Sequence, residues 1–390
     1  MAALEGIKVL DLTRLLPGPL ASMYLADYGA DIIKIEDPFL GDYARDLEPK
    51  IGGIGSLYQL VNRGKKSMTL NLQTEEGKGI FRQLVAQADV VLEGFRPGVM
   101  TRLGLDYDTL SAWNPRIIYC SISGYGQDGP YAKKAGHDLN FIGFTGLLFD
   151  LLQGSKGTPL LPPIQTADIG GGTFHAVMGI LQALIGREKK GKGEFIDVSM
   201  TDGVFPFMLP PFGYHLAAQS NQEQGGFNPI TGSLACYFVY QSKDQRWFAL
   251  GSLEEKFFSR FCEVAGLTHL IENQWALHKQ DELKNEIQAF FSSRTEEEIS
   301  ALFSQEDVCL TPVLSIQESM EDPHIKARRV FQRFTENQSL MTVRNPLATQ
   351  EGDHCNQSLP PAKGQDTENI LKDLGIKEEE ISKLREMQVI

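Results

Sequence analysis

The chain predicts an α/β protein, with a doubly wound, largely parallel sheet in a large domain and a smaller α+β domain beside it. Three features predict it. Short apolar strands alternate with helical patterns through the N-terminal part, the mark of βαβ units with right-handed crossovers. The polar, Gly-ended stretch Gln219–Gly226 reads as a linker. Beyond it a hairpin pattern and a run of helices replace the alternation. A length of 390 residues is long for one core and agrees with more than one domain. The expected bounds are 1–220 for the large domain, 221–330 for the small one and 331–390 for the tail.

Val9–Leu12 is a short apolar strand, and Pro17–Ala30 a helix with Leu20, Met23, Tyr24 and Leu25 apolar and Gly29 as a stop. Asp31–Glu36 is a second strand and Met68–Leu72 another. Thr74 can cap a helix running to about Ala88, after which Asp89–Glu93 and Arg116–Ile122 are strands. Gly170–Gly172 opens a helix through Leu184, Phe195–Val198 is a strand, and a helix-like stretch starts at Met200. In the second part, Ala235–Gln241 and Arg246–Gly251 flank a turn and read as a hairpin. Helices follow over Glu254–Ala265 and Asp281–Arg294, and a third begins at Thr295, which forms a capping-box pattern with Glu298. From about 331 the chain is irregular until two short helices split by Gly375.

Composition narrows the function classes. Hydrophobic residues make up 42% and charged residues 22%, ordinary for a soluble domain. Neither a signal peptide nor an apolar run of transmembrane length is expected. The net charge of −13 argues against general nucleic-acid or anionic-membrane binding. Residues 1–102 hold 12 Lys and Arg against 13 Asp and Glu, a balance of −1, so the other 288 carry −12. The near-neutral part is where a small anionic ligand would sit, although simple compositional drift explains the same numbers. Cys120, Cys236, Cys262, Cys309 and Cys355 are scattered, odd in number and never CxxC, which fits reduced thiols and a cytoplasmic address rather than a zinc site or disulfide framework.

The first βαβ unit ends its second strand in Glu36, where a ribose-binding acid would stand. The turn after its first strand is TRLLPGP, however, without the GxGxxG that lets a backbone close on a pyrophosphate. Nicotinamide and flavin chemistry are therefore not expected. His137, in AGHDLNF, follows a long Gly/Pro-rich loop after a strand, and a cap by Asp138 would place it at a helix mouth. Taken alone, a loop histidine bonded to backbone is the simpler reading. Asp168 precedes three glycines and an apolar helix. The helix N-terminus should favour its ionised form, and the glycines leave space for another group or a ligand. An ordinary N-cap aspartate is the alternative. Glu254 resembles a common first-turn acid. Arg14, Arg45, Arg63, Lys65, Lys66 and Arg96 fall on expected loops at strand ends and suit a phosphate-bearing ligand, or simply a solvated face.

Taken together, these segments resemble the family III CoA-transferases and, within them, the α-methylacyl-CoA racemases. DLTRLLPGPLASMYLADYGADIIKIEDP, NRGKKSMTLNL, VVLEGFRPGVMTRLGLDYDTL, SISGYGQDGPY, TADIGGGTFHAVMGILQAL, GKGEFIDVSMTDG and DVCLTPVLSI carry the likeness, which spans nearly the whole chain. The resemblance implies a tail that returns to the large domain and an obligate, interlocked homodimer. It implies an acyl-CoA thioester as substrate, with no cofactor beyond the coenzyme A it carries and no metal. The catalytic residues it implies are His137, Asp168 and Glu254, the last supporting the histidine. The coenzyme contacts are Arg14, Lys34, Arg63, Lys66, Arg96 and Gly136. AGHDLNF and GSLEEKF favour the racemase branch. Asp37, standing where racemases have arginine, and the Leu-Thr-Arg14 sequence are nearer the transferases, in which Asp168 would be a covalent nucleophile. A protein that binds the thioester without acting on it is a third reading.

Overall fold

A computed structural model describes residues 2–154, 160–220, 228–349, 352–353 and 356–390. Six strands form one sheet in the first unit: β1 (Lys8–Asp11), β2 (Asp31–Glu36), β3 (Lys66–Thr69), β4 (Val90–Glu93), β5 (Ile118–Ser123) and β6 (Phe195–Ser199). All pair in parallel, in the order β3-β2-β1-β4-β5-β6. The order reverses between β1 and β4, and open α/β sheets bind ligands beyond the strand ends at such a reversal.

Both faces of this sheet are covered, as parallel sheets require. Val9, Ile32, Val90 and Leu92 pack with helix α1 (Pro17–Asp27) and the long helix described below. Their neighbours Leu10, Ile33 and Val91 point the other way, onto α2 (Glu75–Val85) and the tail helices, through Phe81, Leu84, Leu371 and Leu384. Thr74 caps α2 by accepting the Gly77 N–H at 3.0 Å. Gly29 takes φ +98° after α1, the stop expected of it.

One helical run, Thr166–Lys190, is long and apolar enough to cross a membrane by length and composition, with mean hydropathy 1.3, contrary to expectation. Half of it is buried, and Ala176, Ile180 and Ala183 lie in the sheet's core, as in a core helix of an α/β domain.

The chain divides at 208 and 328: residues 1–208 with 328–390 form one unit, and 209–327 the other. The tail thus returns to the large domain, but the first boundary lies twelve residues before the expected one. Polar composition marks a loop, whereas a unit ends where contacts to the rest of it thin out, and helix Leu209–Ser220 falls in the second unit. Residues 221–226 of the expected linker, and Cys355, lie outside the described residues. The second unit contains an antiparallel sheet in which Trp247–Gly251 pairs with Tyr237–Gln241 on one side and Leu310–Pro312 on the other. Phe258, Phe261, Phe290 and Phe291, from helices Glu255–Ala265 and Gln280–Ser292, fill its core. The Thr295–Glu298 capping box is present.

Candidate active site

The loop after β1 and the loop after β4 meet at the sheet reversal, where the Arg14 guanidinium lies 5.7 Å from the Phe95 ring centroid. Two clefts open there. The first, about 450 Å³, is lined by Leu15, Leu16, Leu57, Leu139, Ile142, Leu161 and Ile164, with His137, Asp138 and Asp168 as its ionisable groups. The second, about 360 Å³, is lined by Arg96, Lys134, Gly136, Phe141 and again His137. His137 is common to both.

His137 is the N-cap of α3 (Asp138–Gly143). Its N–H donates to Asn140 Oδ1 at 3.0 Å and its carbonyl accepts from Asn140 N–H at 2.8 Å, so the turn is fixed at both ends. The cap is therefore His137 and not Asp138. Asp138 is spent elsewhere: its Oδ1 accepts the N–H groups of Ala167 at 2.6 Å and Asp168 at 2.9 Å. A carboxylate on α3 thus caps the first turn of the neighbouring Thr166–Lys190 run and joins the two segments that carry the candidate pair.

Asp168 is 9% exposed. Burial, with the charge of Asp138 adding to it, pushes its carboxyl up from 3.8 to about 7. The sequence led us to expect a helix terminus that favours the ionised form. Desolvation outweighs that modest dipole effect here. The glycines after Asp168 admit protein rather than ligand. A Cβ on Gly171 would stand 2.2 Å from the Met200 carbonyl oxygen, and one on Gly203 would stand 2.5 Å from the Gly171 Cα. Two backbones touch at this point, and no side chain fits between them.

The seven candidate cations separate into two groups. Lys34 is wholly buried, 2.9 Å from Asp42 Oδ2 and donating to the Thr13 carbonyl at 2.8 Å. Arg63, 1% exposed, pairs with Asp27 at 2.7 Å and donates to Thr342 Oγ1 at 2.9 Å. Lys65 pairs with Asp11, and burial pulls its ammonium down to about 7. Arg45 grips Glu36 through two nitrogens and stacks on Tyr58. Lys66 pairs with Asp31. Lys34 and Arg63 are therefore internal braces, not open phosphate contacts: in a doubly wound sheet the strand ends are packed on both faces, and the cations there are used to neutralise buried acids. Arg96 lines the second cleft, whereas Arg14 lines neither and lies over the Phe95 ring. Gly136 lines the second cleft, where a Cβ would stand 2.7 Å from the Phe141 ring.

The sequence reading passed over Lys134 and Tyr43. Lys134 lines the second cleft beside Arg96. Burial is the largest cause of the raised Tyr43 hydroxyl, and the charges of Asp42, Arg14 and Asp168 all act on it as well. Nothing local in the sequence marks either residue. Glu254 lies in the second unit at the N-cap of helix Glu255–Ala265, where its carbonyl accepts from Phe257 and Phe258 N–H. No group of His, Cys, Asp and Glu suited to a metal occurs among the described residues.

Comparison with known proteins shows the family. The family described as CoA-transferase family III matches residues 4–367. The human α-methylacyl-CoA racemase is 32% identical over 392 residues, covering all of this chain and 97% of that protein. The human succinyl-CoA:glutarate CoA-transferase is also 32% identical, over 95% of this chain and 86% of that one. A CaiB/BaiF family protein from Brucella suis superposes with a TM-score of 0.83 at 29% identity, over 96% of this chain and 99% of that structure. The chain belongs to CoA-transferase family III.

Proposed function

We propose that the protein epimerises 2-methylacyl-CoA thioesters by 1,1-proton transfer at C2. The observation that carries the proposal is the first cleft: two acid/base groups, His137 and Asp168, open into one apolar cavity. A thioester acidifies its α-hydrogen because the resulting carbanion delocalises as an enolate. Inversion then requires a base on one face of that carbon and an acid on the other. An aspartate whose pKa lies near 7 can serve in either role at neutral pH, and so can an imidazole. Asp168 would take the proton from one enantiomer while His137 delivers one to the opposite face, and the roles reverse for the other enantiomer.

The rest of the substrate suits the surroundings. The acyl chain would occupy the leucine-lined cleft, and the coenzyme would run through the second cleft with Arg96 and Lys134 near its phosphates. His137, common to both clefts, would stand at the thioester. The Asp168 N–H is committed to Asp138, so the enolate oxygen must find its donor elsewhere. No metal or redox cofactor would take part, and the compartment would be the reducing cytoplasm. The enzyme would act as a homodimer. In support, the first unit exposes the apolar residues Phe174, Met178 and Ile185 on one helix.

The second reading is CoA transfer between carboxylic acids, with Asp168 attacking the thioester to give a mixed anhydride and then an aspartyl-CoA thioester. The identity shared with succinyl-CoA:glutarate CoA-transferase favours it. The apolar lining of the first cleft weighs against it, because a second carboxylate there would find no Arg or Lys. Kinetics separate the two. With one enantiopure acyl-CoA and no acceptor acid, the epimerase loses optical purity to the racemate. A transferase leaves the stereocentre intact and turns over only when a second carboxylate is added, in ping-pong fashion.

A further inference from the structure

Leu15 takes φ +69°, a left-handed conformation that leucine rarely adopts, on the loop between β1 and α1. Its side chain lines the first cleft together with Leu16, facing the same cavity as His137 and Asp168. The loop is held from behind by one carboxylate. Asp42 Oδ1 accepts the Leu15 N–H at 3.2 Å and the Ala44 N–H at 3.0 Å. Asp42 Oδ2 lies 2.9 Å from the Lys34 ammonium, which also holds the Thr13 carbonyl at 2.8 Å. Both charged side chains are fully buried. Lys34 and Asp42 thus fasten the loop on either side of Arg14, at Thr13 and at Leu15.

We propose that Asp42, anchored by Lys34, is a positioning residue that sets the acyl specificity of the cleft by holding Leu15 in its left-handed turn. A buried ion pair is weak evidence for stability in itself, and its better-attested use is to fix one arrangement among several. Here that arrangement places a branched apolar side chain against the acyl group. Without the clamp, Leu15 relaxes to an ordinary backbone conformation and its side chain leaves the wall. Neither residue touches the reacting atoms. The inference rests on the reading of the first cleft as the acyl site, but not on whether the reaction is epimerisation or CoA transfer.

The test measures equilibrium binding of acetyl-CoA and of 2-methyldecanoyl-CoA to the full chain by calorimetry. Leu15→Ala should weaken the long acyl-CoA by about tenfold relative to acetyl-CoA, the scale of a few methylenes lost from an apolar pocket. Asp42→Asn, which keeps an acceptor but loses the charge, should reproduce the direction of that chain-length-dependent loss. Leu15→Gly removes the strain along with the side chain, so adding Asp42→Asn to it should change the acetyl/long-chain ratio no further. An Asp42→Asn effect that is equal for both ligands, or one that adds in full to Leu15→Gly, would overturn the proposal and leave Asp42 with a purely structural role. If Leu15→Ala binds both ligands as wild type does, the cleft is not the acyl site and the proposal fails with it. Racemisation by the wild-type protein is measured separately, so failure of the reaction assignment is read independently.

Discussion

Asp138 holds Asp168: one carboxylate oxygen accepts the backbone N–H of Ala167 and that of Asp168, at 2.6 and 2.9 Å. The contact positions the helix start through hydrogen bonds, and it raises the Asp168 pKa through charge. Asp138→Asn keeps an acceptor oxygen and removes the charge. The pKa of Asp168 should then fall, with burial alone still holding it above its ordinary value. The corresponding limb of the pH–rate profile should move to lower pH while the fold is kept, as measured by kcat/KM against pH.

The raised pKa of Asp168 carries a stability cost of calculable sign. The folded chain keeps that proton up to pH about 7, and the unfolded chain releases it near 3.8. Between those values folding takes up a proton, so a rise in pH weakens the fold, and above pH 7 the whole cost is present. Asp168→Asn should therefore stabilise the protein at pH 8, by at most about 4 kcal/mol, and leave it unchanged at pH 3. Denaturant midpoints at the two pH values check this, and the same variant should lose at least a hundredfold in turnover.

Two arginines predicted for one task should behave differently. Arg96→Ala should raise KM for the acyl-CoA by one to two orders of magnitude with little change in kcat or stability. Arg63→Ala should leave Asp27 buried without its partner and cost about 3–5 kcal/mol, read as an early denaturant midpoint. Equal KM effects with unchanged stability for both would mean that Arg63 is not the brace described above.

Gly171→Ala forces a methyl group to within 2.2 Å of a carbonyl oxygen in the neighbouring backbone. Neither backbone can yield alone, so the start of the Thr166–Lys190 run must shift and carry Asp168 with it. We expect a loss of at least 2 kcal/mol in stability, on the order of a strong overpacking substitution. Activity should fall further than stability alone explains.

The sheet and its helices were legible in the sequence because each strand is a short apolar run bounded by a turn signal, as in Asp31–Glu36, whose bounds agree with the structure. The Thr74 and Thr295 caps were legible because capping is local chemistry. Asp168 and His137 could be chosen only with the help of the family likeness, since sequence alone offered an N-cap acid and a loop histidine. The fate of the basic residues was not legible: Lys34 lies within an apolar strand pattern and Arg96 just after one, but the first meets Asp42 in the core and the second an open cleft. Asp42 stands only eight residues beyond Lys34, but nothing in the strand pattern shows that the chain turns back to bring the two together. The role of Gly171 was not legible either, since its neighbour is a backbone some thirty residues later.

The proposed chemistry is proton transfer at C2 by His137 and Asp168. It is met most directly by incubating the protein with one enantiomer of a 2-methylacyl-CoA in D₂O, without an acceptor acid, and following the α-hydrogen by NMR together with chiral analysis of the acid. Deuterium should enter C2 as the stereocentre scrambles, and His137→Ala should abolish the scrambling. An unexchanged α-hydrogen, together with an adduct at Asp168 that hydroxylamine traps, would contradict the claim and identify Asp168 as the nucleophile of a CoA-transferase.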